Sequence, residues 1–273
     1  MNENIEKIKN CDNLDFTYSK EDGVIICGDA EEVLSKIPEK SVHLIITSPP
    51  YNTGINYSGY DDKGDMKLYF DKMRKIFTEC YRVLVTGGRV VINLPSCISQ
   101  FADSRVAYLA FDVYQILKEI GFIGADFCTW LKLPRGEILG NSTSWGSWCS
   151  PSSPALRDAS EYIIIMFKET RKLEGYKDKI DITPQEFLQF TTNVWFLTPK
   201  RDNGHPAPFP KALPYRAMKL YSYQDNIILD PFVGSGTTCL VAKENERFFI
   251  GIDISREYCE LSAKRLGQNL LHF

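Results

Sequence analysis

Two stretches of this 273-residue chain carry residue types and spacings that could do chemistry. The first is Thr47-Ser48-Pro49-Pro50-Tyr51-Asn52. Proline locks φ and has no N–H, so the carbonyls of the Pro-Pro pair are held in fixed directions. A hydroxyl, rigid carbonyl acceptors and an aromatic face are thereby presented together. The second is Asp230-Pro231-Phe232-Val233-Gly234-Ser235-Gly236-Thr237, followed further on by Asp253. Its glycines would let a ligand approach the backbone, and the helix expected from about Thr238 to Glu244 would offer free N–H groups. An acid roughly twenty positions after such a turn suits a ribose diol. The third glycine of the dinucleotide fingerprint is absent, which argues against a nicotinamide site.

The flanking residues supply the frame. Val42-His43-Leu44-Ile45-Ile46 is too short for an ordinary helix, is rich in β-branched residues and is stopped by the two prolines, so it reads as a buried strand of a parallel sheet. Gly23 to Asp29 reads as strand then turn, Ala30 to Ile37 as a helix closed by Pro38, and Met66 to Leu84 as an amphipathic helix. Thr86-Gly87-Gly88 is expected to end that helix, Arg89 to Leu94 to be a strand stopped by Pro95, and Arg105 to Ile120 a second helix. Strands are expected at Phe122–Leu133, Glu161–Phe167 and Phe248–Ile252, and the stretch from Asn226 to Thr238 reads as a strand leading into the glycine turn. Residues 1–20 are polar with little periodicity and read as a loosely held leader. Gly54 to Asp65 reads as a mobile loop, Pro134 to Ser160 as an irregular insert, and Thr191 to Arg216 as proline-rich and irregular. Open α/β sheets place ligands at the carboxyl ends of their strands, which is where both chemical stretches fall.

Hydrophobic content of 44% and charged content of 25% are those of a globular protein with a substantial core. No apolar run reaches membrane-spanning length, and the polar start is not that of a signal peptide. Eight cysteines are scattered with no Cys-x-x-Cys pair, so the reading carries no metal and suits a reduced, cytoplasmic compartment. A formal net charge of −3 does not advertise a nucleic-acid partner, so any such surface must be a local basic stripe.

Taken together, Ser48-Pro49-Pro50-Tyr51 and the Asp230–Thr237 turn resemble the catalytic and cofactor motifs of the S-adenosylmethionine-dependent DNA amino-methyltransferases. The catalytic motif comes first here, the permuted order of the beta group. The resemblance runs from about Val24 to Leu266. It implies an α/β fold: a doubly wound, mostly parallel sheet of the class I methyltransferase type, circularly permuted, with a small irregular insert for target recognition. The division it suggests is a leader (1–22), a catalytic half (23–133), an insert with a flanking strand (134–204) and a cofactor half (205–273).

The same resemblance implies S-adenosylmethionine as methyl donor and duplex DNA as partner, in a prokaryotic cytoplasm, with a cognate restriction endonuclease as a possible companion. Monomer and homodimer both stay open. Ser48 and the Pro49 carbonyl would accept hydrogens of an exocyclic amine, Pro50 would hold the turn, and Tyr51 would stack on a flipped base. Asp29, Asp230, Pro231, Phe232, Gly234, Ser235, Gly236, Thr237 and Asp253 would hold the cofactor, with Pro206 and Phe209 in a lid over it. Ser at the first motif position is typical of enzymes acting on cytosine N4, while those acting on adenine N6 usually carry Asp or Asn; RNA and protein amides are remoter alternatives. Cytosine C5 chemistry is disfavoured, because no cysteine follows a proline. Trp145, Trp148 and Arg157 of the insert are candidates to contact or wedge into DNA, or else to pack the insert. Basic residues from Lys168 to Lys179, with Lys200, Arg201, Lys211 and Arg216, are candidate phosphate contacts.

Overall fold

The computed structural model describes residues 2–52, 56–57, 60–61, 64–96, 98–100, 105–132, 147–154, 159–199 and 209–267. In chain order its first strands are β1 (Asp15–Lys20), β2 (Gly23–Cys27), β3 (Val42–Thr47), β4 (Asn56–Tyr57), β5 (Tyr60–Asp61), β6 (Leu84–Leu94) and β7 (Ile98–Gln100). They are followed by β8 (Arg105–Ala107), β9 (Ile123–Leu131), β10 (Ser160–Phe167), β11 (Val194–Phe196), β12 (Ile227–Asp230) and β13 (Phe248–Asp253). The helices are α1 (Glu3–Lys9), α2 (Ala30–Lys36), α3 (Met66–Val83), α4 (Leu109–Ile120), α5 (Pro184–Phe190), α6 (Ala212–Tyr221), α7 (Thr237–Glu244) and α8 (Arg256–Gly267).

Nine strands form one sheet in the order β1-β2-β13-β12-β3-β6-β10-β9-β11. The run from β2 to β6 is parallel throughout, while β10 is antiparallel to both neighbours. Strand order reverses between β12 and β3, so the sheet is doubly wound as expected, and the chain crosses this point with the two halves in permuted order. Side chains of one strand alternate between two cores. Val24, Ile26 and Ile45 pack on one face with Met73, Ile76, Phe77 and Leu117, whereas Ile25, Leu44 and Ile46 pack on the other with Met218, Val241 and Leu266. A sheet buried on both faces explains why the central strands read as continuous apolar runs.

The helix α3 shows how sequence sets this frame. Tyr69, Met73, Ile76, Phe77, Cys80 and Val83 recur at helical spacing and are all buried. Burying each large side chain contributes on the order of 1.5–3 kcal/mol before conformational entropy is charged against it. Asp65 caps the helix, its carboxylate accepting the N–H groups of Lys67 at 2.7 Å and Leu68 at 3.3 Å.

Several expectations need correction. The leader is not loosely held: α1 buries Ile5 and Ile8 completely, and β1 pairs with β2 along the sheet edge. A short apolar i, i+3 pair in a seven-residue helix is too small a signal to read. Gly87-Gly88 does not end a helix but forms an irregularity inside β6, where the register against β3 shifts between Val42 and Leu44. Gly87 has φ +78°, and a Cβ there would lie 2.0 Å from the Lys172 carbonyl oxygen, so the position needs glycine. Arg105–Ala107 pairs with β7 as strand β8, and α4 starts only at Leu109. In the stretch expected to be irregular, β11 pairs with β9 and α6 begins at Ala212. Pro214 is tolerated in its first turn, where an N–H has no intrahelical partner to lose. No described helix is long and apolar enough to cross a membrane.

Candidate active site

The parallel strands β2, β13, β12, β3 and β6 all end on one rim of the sheet. Because β10 runs antiparallel, its amino end joins them there: Tyr162 pairs with Leu94, which puts Glu161 beside the end of β6. A cleft open to solvent lies on this rim. It is bordered by Ser48, Pro49, Pro50 and Tyr51 on one side and by Asp29, Pro231, Phe232, Gly234, Ser235, Thr237, Asp253 and Phe209 on the other. Two motifs some 180 residues apart in sequence are thus brought to one cavity.

Asp230 ties them together. The Thr47 hydroxyl donates to one of its carboxylate oxygens at 2.7 Å, and the Thr238 hydroxyl donates to the other at 2.7 Å. The Phe232 N–H adds a third bond at 3.1 Å. Asp230 is 1% exposed and does not border the cleft, so the expectation that it touches a ligand is corrected: it lies buried beneath the turn, bonded to Thr47, Thr238 and Phe232. Burial pushes its carboxyl up to about 6, against the pull of the two hydroxyls and the N–H. Gly236 also lies outside the lining; it caps α7 with φ +81°, and a Cβ there would meet Ser262 Oγ at 2.8 Å.

Asp253 is arranged differently. One carboxylate oxygen accepts the Ser255 N–H and the other the Gly234 N–H, each at 2.9 Å. Each oxygen keeps acceptor capacity toward the cleft. Burial raises its carboxyl, partly offset by those two N–H groups. Asp29 caps α2 by accepting the Glu31 N–H at 2.9 Å and pairs with Lys72 Nζ at 2.8 Å. Burial would raise the Asp29 carboxyl, but the Lys72 bond and the α2 N–H groups outweigh it and hold the group below its usual range.

On the opposite wall, Ser48 Oγ lies 2.8 Å from Tyr51 Oη and donates to the Asn93 carbonyl at 3.1 Å. Tyr51 Oη also meets Asn93 Nδ2 and Glu161 Oε2, both at 3.1 Å. Asn93 Nδ2 donates to Glu161 as well, and Lys132 Nζ sits 2.5 Å from Glu161 Oε1. Asn52, in the left-handed region at φ +56°, grips Gly64 through both ends of its amide. That grip fixes where the turn ends. Lys72, on α3, reads in the sequence only as part of a solvated lysine face. Asn93, Lys132 and Glu161 went unread there. The available signal was a polar residue at the very end of an apolar strand run, on the rim where ligands bind.

Of the candidate DNA contacts, Trp148 is described and 68% exposed, on a turn within 147–154. Trp145, Arg157, Pro206, Lys200 and Arg201 lie outside the described residues. Lys168 is corrected: it is 4% exposed, donates to the Leu84 carbonyl at 2.8 Å and sits over the Tyr81 ring, so it cannot reach a phosphate. Arg216 is half-buried over Trp195 and Phe190, and Lys211 pairs with Glu244.

Comparison with known proteins places this arrangement. Residues 42–264 match the N6_N4_Mtase family, described as DNA methylase. The type II methyltransferase M.HpaI of Haemophilus parainfluenzae is 31% identical over 91% of this chain and 76% of its own length. The DNA adenine methyltransferase YhdJ of Escherichia coli is 32% identical over 91% of this chain and 84% of its own. A DNA modification methylase of Thermus thermophilus, solved in complex with S-adenosyl-L-methionine, superposes with a TM-score of 0.67 at 26% identity, covering 88% of this chain and 95% of that one. With the shared rim, the permuted motif order and a family match over most of its length, this chain belongs to the N6/N4 DNA amino-methyltransferases of the beta group.

Proposed function

We propose that this protein transfers the methyl group of S-adenosylmethionine to the exocyclic N4 amine of a cytosine flipped out of duplex DNA, as the modification half of a restriction-modification or epigenetic system. The observation that carries the reading is the placement of Ser48, Pro49 and Tyr51 on the same cleft as the Gly234 turn and Asp253. The residues fit the cofactor: Asp253 keeps acceptor capacity on both oxygens for a ribose diol, Asp29 stands at the end of β2 for an adenine, and Pro231 and Phe232 give apolar walls. When bound, that cofactor supplies an electrophilic sulfonium methyl.

The exocyclic amine of a base is a poor nucleophile, because its lone pair is delocalised into the ring. Acceptors on its two hydrogens draw the lone pair back onto nitrogen, and Ser48 Oγ and the Pro49 carbonyl serve as those acceptors. Tyr51 stacks on the extruded base and holds it in line, so most of the rate gain comes from positioning two bound reactants. Ser48 supports cytosine over adenine. Trp148, with Trp145 and Arg157, is proposed for the DNA-contacting surface.

Adenine N6 is the second reading, favoured by the 32% identity to an adenine methyltransferase. Mass spectrometry of nucleosides, after incubation with unmethylated DNA and S-adenosylmethionine, separates them. N4-methylcytosine is the expected product. N6-methyladenine would keep the mechanism and overturn the reading of Ser48, and no modified nucleoside from a protein that binds the cofactor would move the substrate to RNA or a protein amide.

A further inference from the structure

Glu161 stands behind the turn, 9% exposed, and the amine chemistry proposed above does not use it. Hydrogen-bond direction around it is tightly constrained. Its carboxylate faces the Lys132 ammonium and the Asn93 amide N–H, both donors. A carboxylate only accepts, so the Glu161–Tyr51 contact at 3.1 Å requires the phenol to donate. The phenol has a single proton, and this contact takes it. Tyr51 therefore cannot donate to Ser48 across their 2.8 Å contact. Ser48 must be the donor, to Tyr51 Oη or to the Asn93 carbonyl, and its lone pairs stay free toward the cleft.

We propose that Glu161 is a positioning residue that fixes Ser48 as a hydrogen-bond acceptor, by committing the only hydroxyl proton of Tyr51 to itself. The proposal rests on the amino-methylation reading and adds a cause for it. A serine hydroxyl is a weak acceptor that can also turn donor, and a donor pointed at an amine would oppose the reaction. The buried carboxylate removes that alternative, and Lys132 and Asn93 hold it in place.

Glu161→Gln tests it with little change of shape. The amide oxygen is held by Lys132, so the amide N–H turns toward Tyr51 Oη, and the phenol proton is freed for Ser48. The expected loss is about 30-fold in kcat, with S-adenosylmethionine affinity by calorimetry within about twofold of wild type. Tyr51→Phe keeps the ring but removes the misdirected proton, so it should suppress the defect. The double variant Tyr51→Phe/Glu161→Gln should match Tyr51→Phe alone and exceed Glu161→Gln by about fivefold or more. A merely structural glutamate gives no such suppression. If Glu161→Gln keeps kcat within about threefold of wild type, or the double variant is no better than Glu161→Gln, the role assigned to Glu161 is wrong.

Should the Gln variant not fold, Glu161→Asp carries the same test, because it keeps the carboxylate but draws it one methylene back from Tyr51 Oη. Its kcat should fall by about tenfold with cofactor affinity unchanged, and Tyr51→Phe should suppress that loss. A kcat within about threefold of wild type, or no suppression, would overturn the proposal. A wild-type protein that yields no methylated nucleoside overturns instead the reading on which all this rests.

Discussion

The two walls of the cleft are built on different principles. The wall proposed for the cofactor is set by backbone: Gly234 at φ +48° and Gly236 at φ +81° shape a turn, and Asp253 is aimed by two main-chain N–H groups. The wall proposed for the target base is set by side chains from four separate elements. Ser48 and Tyr51 follow β3, Asn93 is the penultimate residue of β6, Lys132 follows β9 and Glu161 is the second residue of β10. Backbone geometry resists single substitutions outside its glycines. A side-chain relay has no such reserve, since one changed group redirects the protons of its neighbours.

The sharpest way to break this contrast is Tyr51→Ala. It removes the proposed stacking face and the centre of the relay together. Base–aromatic stacking is worth roughly 1–3 kcal/mol, so with the lost hydrogen bonds kcat on DNA should fall by about two orders of magnitude. Cofactor affinity, measured by calorimetry, should stay within about threefold, because Tyr51 belongs to the other wall. A comparable loss in both would merge the walls into one unit.

Asp230 lies between the walls and can be tested through pH. Its carboxyl is raised to about 6 from 3.8, so the folded state holds the proton longer than the unfolded chain does. The stability this contributes is present in full below about pH 4 and is lost as pH rises through about 6. Asn in its place cannot ionise, yet its oxygen can keep the bonds from Thr47 and Phe232 while its NH₂ donates to the Thr238 oxygen. Chemical denaturation of Asp230→Asn and wild type across pH 4–7 should therefore show the variant gaining relative stability with pH. A carboxyl moved from 3.8 to about 6 corresponds to a gain of at most about 3 kcal/mol. A constant difference would mean that burial does not hold a proton on Asp230 and that the carboxyl is ionised across the whole range.

Asp253→Ala sharpens the comparison from the cofactor side. A hydrogen bond to a charged group is worth about 1.5–3 kcal/mol, so S-adenosylmethionine affinity should fall about 10- to 100-fold. At saturating cofactor, kcat should recover most of the way. If kcat instead stays low at saturation, Asp253 shapes the reacting geometry and not binding alone.

The same division explains what could be read from sequence. The strand–turn–helix at Ile227–Glu244 and the turn after β3 are local: prolines, glycines and apolar runs specify them within a dozen residues. The sheet with both faces buried follows from runs such as Leu44-Ile45-Ile46, which leave no polar face. Glu161, Asn93 and Lys132 are different. Each is an ordinary polar residue at a strand end, and only the antiparallel register of β10 against β6 and β9 brings them to Tyr51. No local pattern encodes that register. α6 was hidden for another reason: its Pro214 reads as a breaker in sequence and is harmless only because it falls in the first turn.

The smallest effect is expected at Lys72, the one side-chain-to-side-chain ion pair described here on the cofactor wall. Its ammonium lies 2.8 Å from Asp29, with about a third of the lysine side chain and a quarter of the aspartate side chain exposed. A pair this open to solvent is worth roughly 0–1 kcal/mol. Asp29 does not depend on it for orientation, because the Glu31 N–H already fixes the carboxylate as the α2 cap. Lys72→Ala should lower S-adenosylmethionine affinity by no more than about fivefold at low ionic strength, and the deficit should shrink as salt is added. Calorimetric titration at two salt concentrations measures both. A larger, salt-independent loss would show that this wall too hangs on a side-chain relay, and the contrast between the walls would then be one of degree.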